Sequence, residues 1–222
     1  MSNQLPTDYQ SFIHKSRYAK YFDGEGRESW GDTVARYVKN IVGDKADKKT
    51  LKQLEQAILG LEVMPSMRAL MTSGPAADRD NTCMYNCSFL PVDDLKSFDE
   101  AMFILLCGTG VGFSVERQFI TKLPEVPQLF QSETSIVVRD SKEGWAKSLR
   151  QLIALLYAGE VPTWDVSKVR AAGAPLKTFG GRASGPAPLV DLFNFTINTF
   201  RKAEGRKLSS IECHDIMCKI GE

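Results

Sequence analysis

Five cysteines and two histidines are the side chains here that could carry redox, nucleophilic or metal chemistry. Cys87 opens the β-prone run CSFLPV close to a turn, where a thiol keeps the partial access that reactivity needs. A cysteine in an apolar run is also a small buried hydrophobe, and position alone favours that plainer reading. Cys83 and Cys87 stand four apart, as do His214 and Cys218 on one helical face, and four such ligands suit zinc. Side chains four apart on a strand splay, however, and the two pairs lie far apart in sequence, so no metal site is expected. The turn GTGVGF at residues 108–113 has the glycines of a phosphate loop. It follows a helix and precedes a strand, the reverse of a dinucleotide loop, and no Gly-Lys-Ser/Thr follows it. A tight helix-to-strand connection explains it better. The loop GAPLKTFGGRASGP at residues 173–186 has four glycines and two cations, Lys177 and Arg182. Such a loop can mould around a ligand and offer charge to phosphate or a base edge. Unstructured loops of this length are uncommon in compact domains, which tilts the reading from ordinary surface towards function.

The elements that must position these residues follow from periodicity and start signals. Residues 10–40 predict helix with a break at residues 23–26, and Ser29 with Asp32 marks a restart. Thr50 with Gln53 resembles a capping box ahead of Leu51, Leu54 and Ile58. Residues 1–62 therefore read as a helical N-terminal region. From residue 63 onward short strands alternate with amphipathic helices. Ser97 with Glu100 is expected to cap a helix burying Phe98, Ala101, Met102, Leu105 and Leu106. Residues 111–115 and the run SIVVR read as strands. Asp140 with Glu143 is expected to cap a helix whose face holds Trp145, Leu149, Leu152, Ile153 and Leu156. Leu189, Leu192, Phe193, Thr196, Ile197 and Phe200 define another, and Ser209 with Glu212 opens the last. The fold class is α/β, residues 63–222, behind the helical residues 1–62. The last helix reaches Glu222 with its apolar face unmatched by a following element, which suggests truncation.

Composition narrows the class. With 28 basic and 27 acidic residues, no whole-chain field points to nucleic acid or an anionic membrane. No apolar run approaches the roughly 20 residues needed to span a bilayer. The first residues lack a signal-peptide pattern, so an odd number of reduced thiols in the cytoplasm is the expectation.

Several blocks, in order, resemble the adenosylcobalamin-dependent (class II) ribonucleotide reductases, most closely the monomeric ribonucleoside-triphosphate reductase branch. They are SRYAKYFDGEGRESWGDTVARYV, MPSMRALMTSGP, NCSFLPVDD, GTGVGFSVE, DSKEGWAKSL, VRAAGAPLKTFGGRASGPAPLVDLF and CHDIMCKIG. Any one is weak; the ordered set spans nearly the whole chain.

The resemblance implies the N-terminal helices and first strands of a ten-stranded α/β barrel. It implies reduction of ribonucleoside triphosphates to deoxynucleotides by thiyl-radical chemistry with adenosylcobalamin, in which two further cysteines supply electrons by forming a disulfide. Cys87 maps onto one of those two, a role suited to thiol–disulfide exchange. Met64, Pro65, Ser66 and Asn86 would border the substrate. Residues 173–185 look like the specificity loop, with Lys177, Thr178 and Arg182 as contacts to a deoxynucleotide effector. Asp94 is similar to an effector-contacting acid, and serves equally well as a helix cap. The radical-bearing cysteine and second redox cysteine would lie beyond Glu222, in a C-terminal remainder, and a thioredoxin-like reductant would reset the pair. The alternative is a non-catalytic nucleotide-binding or regulatory module on the same fold.

Overall fold

The structure is a computed structural model, and it describes residues 5–22, 24, 26–176 and 181–222. The chain forms two compact units, residues 1–86 with 176–181, and residues 87–175 with 182–222.

The first unit is helical. α1 (Asp8–Ile13) starts on a Thr7–Gln10 capping box and runs into a π-helical turn, His14–Tyr18. A two-residue hairpin of β1 (Tyr21–Phe22) and β2 (Gly26–Arg27) makes the break in helix that the sequence implied. α2 (Trp30–Tyr37) begins at Ser29, whose hydroxyl accepts from the Asp32 amide while Asp32 reaches back to the Ser29 N–H. α3 (Lys48–Leu59) is capped by Asp47, not by Thr50. The Asp47 carboxylate accepts from the Thr50 amide at 2.8 Å, so the helix starts one turn earlier and Thr50 lies inside it. Short α4 (Met67–Thr72) and α5 (Pro75–Arg79) follow. Trp30, Val34, Val38, Ile58 and Leu70 form this unit's small core.

The second unit is α/β. β3 (Cys87–Pro91), α6 (Lys96–Leu106) and β4 (Gly110–Ser114) make one parallel strand–helix–strand unit. After α7 (Arg117–Ile120), β5 (Phe130–Val137), α8 (Lys142–Tyr157) and β6 (Glu160–Asp165) make a second. Parallel neighbours need such crossovers, since a tight turn cannot return the chain in the same direction. α9 (Ala187–Lys202) and α10 (Ser210–Gly221) complete the unit. Phe98, Leu149, Leu152, Leu156, Phe193 and Phe200 are all under 2% exposed within one continuous apolar core. Burying each such side chain contributes about 1.5–3 kcal/mol before entropy.

Two further expected helix starts are corrected. α6 begins at Lys96, so Ser97 lies inside it, and its hydroxyl donates to the Pro91 carbonyl at 3.0 Å instead of capping. Ser141, not Asp140, caps α8, accepting from the Gly144 amide; Asp140 pairs instead with Arg170 at 2.8 Å. No helix among the described residues is long and apolar enough to cross a membrane.

Candidate functional site

Strand alternation decides what Cys87 can do. Along β3, Leu90 is 8% exposed and packs into the core, whereas Cys87 and Phe89 are exposed on the opposite side. Gly110 and Gly112 of β4 stand in register with Cys87 and Phe89. Neither adds a side chain, so the thiol has an unobstructed neighbour on that face. Ser88 locks the pair by donating to the Gly110 carbonyl at 3.1 Å. Cys87 is thus an accessible thiol at the start of a strand held in place from the other side. Cys83, Cys107 and Cys213 are buried, and burial pushes the Cys213 thiol up to about 12, with the Glu212 charge adding to it.

The GTGVGF turn is a connection. Gly108, at φ +80°, reverses the chain after α6, and the Thr109 amide bonds back to the Ile104 carbonyl at 3.2 Å. Beside it Lys142 donates to the Cys107 sulfur at 3.1 Å and lies over the Phe103 ring.

Residues 173–176 and 181–185 lie side by side. Pro175 bridges Arg182 in antiparallel fashion, and Gly173 and Ala174 exchange backbone bonds of 2.8 Å with Ala183. The Arg182 guanidinium, exposed, donates to the Gly173 carbonyl at 2.9 Å and keeps further N–H donors facing solvent. Gly185 combines φ +76° with an approach that would put a Cβ 2.9 Å from the Ala172 nitrogen, so a side chain there would break the closure. Lys177 and Thr178 lie outside the described residues. Asp94 is exposed, and its carboxylate accepts from the Lys96 amide at 2.9 Å, the bond of a helix start.

Met64, Pro65, Ser66 and Asn86 belong to the first unit. Met64 is 55% exposed and Asn86 is exposed. Ser66 caps α4, accepting from the Ala69 amide at 3.2 Å. The far end of that helix is gripped by a buried network that sequence patterns did not show. Arg36 forms a two-pronged pair with Glu28 at 2.6 and 2.7 Å and also donates to the Leu70 and Ser73 carbonyls at 2.9 Å. The Lys20 ammonium donates to the same Ser73 carbonyl at 2.7 Å. Thr33 donates to Glu28 at 3.0 Å and meets His14 Nε2 at 2.9 Å. Burial alone would raise the Glu28 carboxyl, but the Arg36 and Lys20 bonds outweigh it and hold it below its ordinary value. Burial lowers His14. Charged residues at wide separations carry no periodic signal, so only the fold reveals this cluster.

Of the cysteine and histidine pairs, the structure brings His214 and Cys218 together, with Sγ 3.5 Å from Nε2. Among the described residues no group of three His, Cys, Asp or Glu side chains could hold a metal ion.

Comparisons with known proteins give a consistent picture. The family model described as B12-dependent ribonucleotide reductase, insertion domain, matches residues 123–200. The adenosylcobalamin-dependent ribonucleoside-triphosphate reductase of Lactobacillus gasseri is 26% identical over 94% of this chain and 38% of its own length. A putative enzyme of the same name from Mycobacterium phage D29 is 28% identical over 81% of this chain and 31% of its own. That of Euglena gracilis is 27% identical over 94% and 32%. A crystal structure of a B-12 dependent (class II) ribonucleotide reductase superposes with a TM-score of 0.81 at 25% identity, covering 95% of this chain and 39% of that one. The chain thus spans well under half the length of these relatives. Along nearly its whole length in sequence, and in fold, the chain is similar to the B12-dependent, class II ribonucleotide reductases.

Proposed function

We propose that this chain supplies a redox-active thiol and the specificity loop of a ribonucleoside-triphosphate reductase. The observation that carries the reading is the exposed thiol of Cys87 at the first position of β3, opposite a glycine and fixed from behind by Leu90 and Ser88. Reducing a ribose 2′-carbon takes two electrons. Two thiols deliver them by losing two protons and closing a disulfide, which an external dithiol such as a thioredoxin-like protein reopens by exchange. In this reading the second thiol comes from a C-terminal remainder of the reductase; Cys83, Cys107 and Cys213 are buried, and Cys218 lies on α10, outside the two strand pairs. The two parallel strand pairs are strands of a ten-stranded α/β barrel. Met64, Pro65, Ser66 and Asn86 border the ribonucleoside triphosphate, while Asp94, Lys177, Thr178 and Arg182 meet the deoxynucleotide effector.

Adenosylcobalamin enters this reading as the cofactor in the relatives' names, and it supplies radical initiation when bound. The described residues do not make a cradle for it: His14 is engaged by Thr33 and His214 by Asp215.

The test is reassembly of this chain with a C-terminal reductase segment, adenosylcobalamin, a ribonucleoside triphosphate and a dithiol. The Cys87→Ser chain should form no deoxynucleotide yet bind nucleotide as before. Deoxynucleotide formed by the Cys87→Ser chain would remove the redox assignment. Unchanged behaviour in every assay would favour a nucleotide-binding module without catalysis.

A further inference from the structure

The second accessible thiol, Cys218, stands one turn after His214 on the outer face of α10. Spacing of four residues stacks the two side chains, and Sγ lies 3.5 Å from His214 Nε2 and 3.8 Å from Nδ1. The Asp215 carboxylate sits 3.1 Å from Nδ1. A proton on Nδ1 is the one that an acceptor at that distance stabilises, which leaves the Nε2 lone pair for the thiol. The Phe113 ring packs against the imidazole with centroids 5.8 Å apart, restricting its rotation. The neighbouring cation does not compete for the carboxylate, because Lys219 is held by Asp191 and Glu222.

From these contacts we propose that Cys218 is a modification site, a nucleophilic thiol assisted by His214 and oriented by Asp215, which forms mixed disulfides with small disulfides of the glutathione type. His214 Nε2 takes the thiol proton as Sγ attacks one sulfur of the disulfide. A new Sγ–S bond forms, the original S–S bond breaks, and the leaving thiolate recovers the proton from the imidazolium. One disulfide and one thiol are consumed, and one mixed disulfide and one thiol are produced. The inference does not rest on the reductase reading, which concerns Cys87.

The measurement is the rate of mixed-disulfide formation with oxidised glutathione, resolved by peptide mass spectrometry for Cys218 and Cys87 in the same molecules. Cys87, also exposed but without an imidazole partner in these contacts, is the internal reference. His214→Gln should slow Cys218 by about tenfold or more, below the 10²–10⁴ of a fully positioned general base because the ring is 47% exposed. Cys87 should change by less than about twofold. Asp215→Asn, a milder change, should slow Cys218 by about threefold. If either variant leaves the ratio of Cys218 to Cys87 labelling unchanged, the assisted-thiol assignment is wrong. Equal slowing of both cysteines would point to altered folding and overturn it as well.

Discussion

The two compact units solve the problem of charge in opposite ways. In the first, a carboxylate and a guanidinium are taken inside: the Glu28 and Arg36 side chains are 3% and 11% exposed, and their remaining bonds go to Thr33, Lys20, Leu70 and Ser73. In the second, the core is apolar and most charge pairs sit at its rim, as with Arg206 and Glu212 or Arg170 and Asp140; the buried carboxylate of Asp99, paired with half-exposed Arg150, is the exception. A small core of five residues cannot fix helix positions by volume alone, so direction-dependent bonds do part of that work. A large core fixes them by packing, and its ion pairs become dispensable. The contrast predicts which unit responds to loss of a charge and which does not.

The strongest way to break the contrast is Arg36→Met. It leaves Glu28 buried without its charge partner and takes one donor from each of the Leu70 and Ser73 carbonyls. The expected loss is about 3–5 kcal/mol in the first unit. Hydrogen exchange resolved by segment would report it as lost protection in α2 and α4 with α9 unchanged. Adding Glu28→Gln should recover part of the loss, since a neutral amide costs less to bury than an unpaired carboxylate. A loss below about 1 kcal/mol for Arg36→Met would mean that the network is ornamental and the apolar contacts suffice.

A gentler perturbation is pH. His14 is lowered by burial, so the folded first unit resists taking the proton that the unfolded chain accepts near pH 6.5. Stability from the neutral imidazole is therefore present above the unfolded value and lost as pH falls towards the folded one. Glu28 adds a second loss at lower pH, because its depressed carboxyl contributes above the unfolded value and is lost as pH falls through the folded one. Between pH 7 and 5, exchange protection in α2 should fall while that in α9 holds. Equal loss in both would show that the two units unfold together.

How much of this was legible in the sequence depends on distance along the chain. The Ser29–Asp32 and Ser209–Glu212 boxes were visible because both partners lie within one turn, and both are formed. The same local rule misplaced the starts of α6 and α8. Several polar residues compete there for the free N–H groups, and tertiary partners decide: Pro91 takes the Ser97 hydroxyl and Arg170 takes Asp140. The network of the first unit joins residues up to 53 positions apart, Lys20 with Ser73, which no window of pattern can hold. At the candidate site, the β-prone run CSFLPV marked the strand that carries Cys87. It did not give the face, which follows from Leu90 turning into the core.

The smallest effect is expected at the rim of the second unit, where the same chemistry as Arg36 can be removed with little cost. Arg206 binds Glu212 through two bonds of 2.7 Å and also donates to the Lys202 carbonyl at 3.0 Å, joining the end of α9 to the start of α10. Its side chain is 47% exposed, so water replaces most of what is lost. Glu212 is not orphaned in Arg206→Met, because the Ser209 amide and hydroxyl still donate to it at 2.8 and 2.9 Å. The loss should be at most about 1 kcal/mol, read from the urea midpoint at pH 7. The Arg206 bond holds the Glu212 carboxyl at about 2, so the pair contributes fully above the unfolded value and is lost as pH falls towards that figure. The gap between wild type and Arg206→Met should therefore close in acid. A deficit of 3 kcal/mol, or one that persists at pH 2, would mean that this pair fixes helix positions as Glu28 and Arg36 do, and the contrast between the units would fail.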